Sequence, residues 1–170
     1  NIAKYRSKKK ITNTADLVRI IEESKKKNYL KKLNPCTKTF QALRIFVNKE
    51  ITELINGIIK ATKKLKPGGK IVVVSFHSLE DRIIKYFFTN FSTNKSRPSR
   101  YFPEKKIKDK ALFDDYKNRV LRPSEEELNK NNRSRSARLR FAIRSKNKFE
   151  YPEEILKKFK KFLDLEAISV

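Results

Sequence analysis

The sequence predicts a layered α/β domain. Three observations carry that prediction: a long stripe of apolar residues at helical spacing, a Pro-Gly-Gly turn directly after it, and an uninterrupted β-branched run directly after the turn. A strand without polar alternation suits a sheet covered on both faces, and helix, short turn and buried strand in succession suit helices layered on a parallel sheet.

Taken in order, Asn1 to Lys10 sets Ile2 and Tyr5 among basic residues and reads as the tail of a helix begun upstream. Thr12, Asn13 and Thr14 are cap-forming residues ahead of Leu17, Val18, Ile20 and Ile21, which predicts a helix to about Lys27. Asn34-Pro35 marks a boundary. Phe40, Leu43, Val47, Ile51, Leu54, Ile58 and Leu65 fall mostly at three- and four-residue steps, predicting one long helix ended by Pro67-Gly68-Gly69. Ile71 to Phe76 is then the predicted central parallel strand. Ser78 and Asp81 have the spacing of a capping pair and open a helix with Leu79, Ile83, Tyr86 and Phe87 on one side. Phe91 to Lys110 is a basic loop broken by Pro98 and Pro103, and a short strand is predicted over Lys117 to Leu121. Ser124 with Glu127 makes a capping box for one or two helical turns. From Arg138 to Arg144, Leu139, Phe141 and Ile143 alternate with Arg138, Arg140 and Arg144, which predicts a half-exposed strand. Glu153 to Leu165 reads as an amphipathic helix with Ile155, Phe159, Phe162 and Leu163 inward.

Charge is the loudest compositional signal. Lys and Arg number 43 against 19 Asp and Glu, a net +24 over 170 residues. Lys130 to Lys148 holds eight basic and no acidic residues, and Phe91 to Arg122 ten against four. Such blocks suit a polyanion, because each phosphate neutralised releases counterions; the plainer reading is a solvated lysine-rich face. The single cysteine, Cys36, excludes an internal disulfide framework. No apolar run approaches the ~18 residues of a membrane span, and the basic start lacks a signal-peptide core. The expectation is a cytoplasmic protein with no membrane partner. No methionine occurs, and the chain opens on what reads as mid-helix, so a piece of a longer protein is expected.

In open α/β sheets ligands bind beyond the carboxyl ends of strands. Here that edge is Ser75-Phe76-His77-Ser78-Leu79-Glu80-Asp81-Arg82, holding the only histidine of the chain. Dense polar chemistry after the most apolar strand makes His77, Ser78, Glu80 and Asp81 the site candidates. Each has a duller role: Ser78 as a cap, Glu80 and Asp81 as partners of the helix dipole worth about 0.3–1 kcal/mol each, His77 as a structural imidazole. No residue set suggests a metal.

Three stretches carry a resemblance. Gly69 to Lys85, GKIVVVSFHSLEDRIIK, is similar to the signature of the MraW (RsmH) family of ribosomal RNA (cytosine-N4)-methyltransferases. Asn34 to Glu50, NPCTKTFQALRIFVNKE, resembles that family's HPATRTFQALRI-VN-E helix, and Asn132 to Arg140, NRSRSARLR, resembles its NPRSRSAKLR segment. Asn34 stands for the usual His, Cys36 for a small residue and Asn132 for Pro. The resemblance implies the carboxy-terminal part of a class I (Rossmann-like) S-adenosylmethionine-dependent methyltransferase, closed by the Lys117 and Arg138 strands as an antiparallel pair. It implies that residues 1–33 end a helical inserted, substrate-recognition domain, that 34–148 belong to the methyltransferase domain, and that 149–170 form the terminal helix. Family members are about twice as long, so the cofactor-binding residues are expected upstream of Asn1. The chain itself has three glycines, Gly57, Gly68 and Gly69, and no Gly-rich loop.

The implied activity is methylation of the N4 amine of a cytidine in 16S ribosomal RNA, in the decoding region of the small subunit, with S-adenosyl-L-methionine as donor; this chain alone is expected to be inactive. The acceptor amine must be oriented, held out of the base stack and relieved of a proton. His77 is the leading candidate for polarising or deprotonating it, with Ser78, Glu80 and Asp81 lining the pocket. Arg133, Arg135, Arg138 and Arg140 are expected on RNA phosphates, and Arg97, Arg100, Tyr101 and Phe102 on unpaired nucleotides. Partners are 16S ribosomal RNA or the small ribosomal subunit, with a homodimer left open. Two rivals stand beside this reading: a non-catalytic basic RNA-binding or ribosome-associated protein, and a module docking on membranes or proteins through Lys157, Lys158, Lys160 and Lys161 opposite Phe159 and Phe162.

Overall fold

The computed structural model describes residues 1–24, 34–94, 110–114 and 116–168. Contacts divide the chain into two compact units, Asn1–Glu50 and Ile51–Val170.

The first unit is helical. Helix α1 spans Ile2–Arg6 and α2 spans Thr14–Ser24. Asn13 starts α2 as expected: its side-chain oxygen accepts from the Asp16 amide at 2.8 Å. The predicted extension to Lys27 lies outside the described residues. Helix α3 spans Thr37–Val47; the next helix, α4, spans Glu50–Lys64 and belongs, from Ile51 on, to the second unit. The single long helix read from the apolar stripe is therefore two. Asn48 caps α3, and Lys49 takes a left-handed backbone with φ of 52°, a conformation that a helix cannot continue through. The apolar spacing passes across the break unchanged, which is why the stripe concealed it.

The second unit holds the sheet. Gly68, with φ of 79°, makes the turn that brings α4 into strand β1, Lys70–Ser75. Helix α5 follows over Ser78–Asn90, then α6 over Glu125–Lys130, a 3-10 turn over Asn132–Ser136, strand β2 over Arg138–Ile143 and helix α7 over Glu153–Ala167. Helices with a small sheet agree with an α/β class. Among the described residues β1 pairs with β2 alone, antiparallel, from Lys70 opposite Ile143 to Ser75 opposite Arg138. The exposures along β1 are those of this chain by itself. Ile71 and Ser75 are buried, while Val72 and Val74 are 55% and 49% exposed.

The expected strand over Lys117 to Leu121 reduces to one bridge, Leu121 to Leu139, with amide-to-carbonyl bonds of 2.9 Å in both directions. Asn118 has φ of 50°, which a ladder cannot accommodate, and its side chain turns inward. Upstream, Phe113 bridges both Ser92 and Arg144, so the chain beside β2 contributes single contacts instead of a third strand.

The core is aromatic. Phe87 and Phe88 of α5 are fully buried against Phe113, with ring centroids 5.4 and 5.2 Å apart in edge-to-face geometry, and Tyr116 lies on Phe88. Helix α7 packs on its own unit: Ile155 and Phe159 are buried, and Phe159 meets Tyr86 edge-on at 5.5 Å. Glu166 completes the attachment. Its carboxylate accepts from the Ile51 and Thr52 amides at 3.0 and 2.8 Å and from the Thr52 hydroxyl at 2.7 Å, so α7 caps the start of α4. The burial of this face removes it from the docking role that the lysines had allowed. Among the described residues no helix is long and apolar enough to cross a membrane.

Candidate functional site

β1 ends at Ser75 and α5 begins at Ser78, so Phe76 and His77 form the whole connection. A two-residue turn out of a strand leaves the first helical amides without partners, and the local sequence supplies them. His77, in extended backbone, is the N-cap: its Nδ1 accepts from the Glu80 amide at 3.3 Å. Glu80 reaches back, and its Oε2 accepts from the Phe76 amide at 2.8 Å and the His77 amide at 3.3 Å. The capping box is thus His77 with Glu80, one residue earlier than the Ser78 and Asp81 pairing. The reason is chemical: Glu is long enough to reach back to the cap amide, while Asp81 is drawn elsewhere.

Nδ1 can accept only while it carries no hydrogen, so the neutral ring holds its hydrogen on Nε2. Glu80 Oε1 is 3.2 Å from Nε2, near enough to pair with a charged ring. It is not aligned for a hydrogen bond, and Nε2 is buried without a hydrogen-bond partner among the described residues. Ser78 is exposed at the helix start, and Phe76 is 56% exposed beside it.

Asp81 points into the protein. Its Oδ1 accepts from Arg140 Nε at 2.7 Å, and its Oδ2 accepts from Arg140 Nη2 at 3.2 Å and from Arg138 Nη1 at 2.7 Å. Arg140 Nη1 donates to the Tyr116 hydroxyl at 3.0 Å and to the Asn118 side-chain oxygen at 3.1 Å. Burial alone would raise the Asp81 carboxyl, but the bonds and charges of Arg140 and Arg138 outweigh it and hold it below the usual carboxylate range. The same pairing keeps Arg140 charged despite burial.

Arg140, expected on an RNA phosphate, is buried, as is Arg144, while Phe141 is exposed. Arg144 is spent on carbonyls: its Nη1 donates to Leu112 O and Ser145 O at 2.9 and 3.0 Å, and its Nη2 to Asn147 O at 2.8 Å. Of the arginines expected on RNA, Arg133 and Arg135 are exposed and Arg138 is half-buried, whereas Arg140 has its donors directed inward. Arg97, Arg100, Tyr101 and Phe102 lie outside the described residues. The structure brings His77, Ser78, Glu80 and Asp81 together at the carboxyl end of β1 and sets Arg138 opposite Ser75. Sequence reading missed Phe76, Tyr116 and Asn118. An aromatic between a strand and its helix cap marked Phe76; no local pattern marked the other two, whose partner lies 24 and 22 residues further along the chain.

The glycines of this chain do not form a loop that would cradle S-adenosylmethionine. Gly57 has open space around it on α4, Gly68 serves the turn into β1, and Gly69 packs on Leu65, so no glycine opens backbone to a ligand.

The model of the MraW methylase family matches residues 1–145. Curated relatives carry the name Ribosomal RNA small subunit methyltransferase H. One from Bartonella grahamii (strain as4aup) is 46% identical over 144 residues, covering 85% of this chain and 43% of the relative. One from Agrobacterium fabrum is 43% identical over 145 residues (85% and 42%), and one from Ehrlichia canis 44% over 145 residues (84% and 45%). The chain therefore spans less than half the length of the curated relatives it matches.

Proposed function

The chain belongs to the MraW methylase family, and from that premise we propose that the protein containing it transfers a methyl group from S-adenosyl-L-methionine to the N4 amine of a cytidine in 16S ribosomal RNA, in the decoding region. The observation that supports the reading on this chain is the compact polar cluster at the carboxyl end of β1, where α/β folds collect ligands. The methyl donor would be held by the part of the relatives' length that this chain does not span, and the chain alone is expected to be inactive. The substrate is ribosomal RNA, free or in the small subunit, and the setting the cytoplasm.

An N4 amine is a poor nucleophile, because its lone pair is delocalised into the ring, and it must lose a proton as the new bond forms. A carboxylate can accept from that amine. Glu80 is the acceptor in this reading: Oε2 is anchored by two backbone amides, and Oε1, beside His77 Nε2, would receive the proton. His77 holds the turn that presents Glu80; Ser78 and the exposed Phe76 border the base. Arg133, Arg135 and Arg138 meet phosphates.

Glu80→Gln tests the pair, because Gln also serves in a capping box but takes no proton. The full-length Glu80→Gln protein is expected to fold normally and to transfer methyl groups about 10²–10⁴-fold more slowly. Near-normal turnover in both Glu80→Gln and His77→Asn, with folding intact, removes the pair from the chemistry. Digesting the methylated RNA to nucleosides tests the reaction itself: label in N4-methylcytidine supports it, and label on another atom or none at all overturns it.

A further inference from the structure

Asp81 is shared by two guanidinium groups in different surroundings, which is more than its own neutralisation needs. Arg140 is closed off: its side chain is 6% exposed, and Asp81, Tyr116 and Asn118 take four hydrogen bonds from it. That buried pair is already neutral. Arg138 adds a net positive charge at the rim, with its side chain 38% exposed and Nη1 fixed to Asp81 Oδ2 at 2.7 Å. Among the described residues its Nε and Nη2 have no other hydrogen bond, so part of its donor fork faces outward with its orientation set from beneath. Its backbone is equally fixed, because Arg138 pairs with Ser75 and its carbonyl accepts from the Ser75 hydroxyl at 3.4 Å, two residues before His77.

We propose that Asp81, backed by Arg140, Tyr116 and Asn118, is a positioning residue that holds the Arg138 guanidinium to receive an RNA phosphate at the edge of the site. The inference rests on the RNA-binding part of the function proposed above. A free surface arginine must be ordered when it binds, and one already pinned has lost that freedom beforehand. The left-handed Asn118 is the conformation that delivers its side chain to Arg140, so local strain serves the same pair. The 3-10 turn just before β2 exposes Arg133 and Arg135, which would continue the phosphate track outward.

The test is RNA binding by the full-length protein, measured by fluorescence anisotropy on a small-subunit ribosomal RNA hairpin across a salt series, with melting curves for each variant. Arg138→Gln is expected to weaken binding roughly tenfold and to lower the salt slope by about one. Arg138→Lys, which keeps the charge and can keep the pair, is expected to restore most of it. Asp81→Asn is the decisive arm. It removes a negative charge from a protein that binds a polyanion, so a purely coulombic role gives tighter binding; positioning gives binding several-fold weaker, and no further loss when it is combined with Arg138→Gln. Should Asp81→Asn fail to fold, Asp81→Glu keeps the charge while displacing the carboxylate by one methylene: weaker binding supports the proposal and unchanged binding overturns it. Wild-type binding with Asp81→Asn at least as tight overturns this proposal alone, whereas a wild-type protein that binds no RNA overturns the functional reading with it.

Discussion

The two faces of the β1–β2 ribbon differ in what they bury within this chain. The face under α5 carries Ile71, Val73 and Ser75 opposite Ala142, Arg140 and Arg138, so it buries a guanidinium. The other face carries Val72 and Val74 opposite Phe141 and Leu139, with Leu121 bridged to Leu139, and much of this apolar surface meets solvent. What decides the facing is the partner and not hydrophobicity. Asp81 descends from the first turn of α5 onto the arginine face, and a buried cation with a carboxylate and two further acceptors is satisfied, whereas an unpaired one would not be.

Removing one member of the pair is therefore expected to have the largest effect. Arg140→Ala leaves Asp81 buried with only the rim arginine and should cost about 3–5 kcal/mol in chemical denaturation; a loss under about 1 kcal/mol would mean that the arginine face is wet. Glu166→Ala comes next, as it unfastens α7 from α4 and leaves two amides and a hydroxyl unanswered, with about 2 kcal/mol lost in the same measurement. Acid separates the faces without mutation. Because Asp81 titrates below its usual value when folded, the unfolded chain takes up the proton first as pH falls under about 4. The stability that Asp81 supplies is complete above that pH and drains away below it, and an Asp81→Asn protein should show a flatter stability curve there. The smallest effect is expected on the open face. Val74→Thr in this chain should change stability by no more than about 0.5 kcal/mol, and a loss several times larger would show that face to be covered.

How much of this could be read from sequence follows the same division. The existence of β1, α5, α6, β2 and α7 was legible, because each has its period or its cap within a short window. Which face of β2 turns inward was not: alternation of Arg with Leu, Phe and Ile separates two faces but does not name the inner one, and Asp81 is 59 residues away from Arg140 in the chain. The uniform run Ile71 to Val74 hid its own alternation for a related reason, since identical side chains can lie buried or exposed. The break at Lys49 was illegible because nothing about lysine calls for a positive φ. At the candidate site the cluster was legible but the roles within it were not. Ser78 with Asp81 and His77 with Glu80 offer the same spacing, and only the reach of the Glu80 side chain to two amides chooses between them.

The most direct measurement of the central claim, that the carboxyl end of β1 and the start of α5 meet the RNA, is hydrogen exchange of the full-length protein with and without small-subunit ribosomal RNA. Protection is expected to concentrate at residues 76–82 and 133–138, with α7 unchanged. Protection confined to α7, leaving 76–82 as in the free protein, would contradict it.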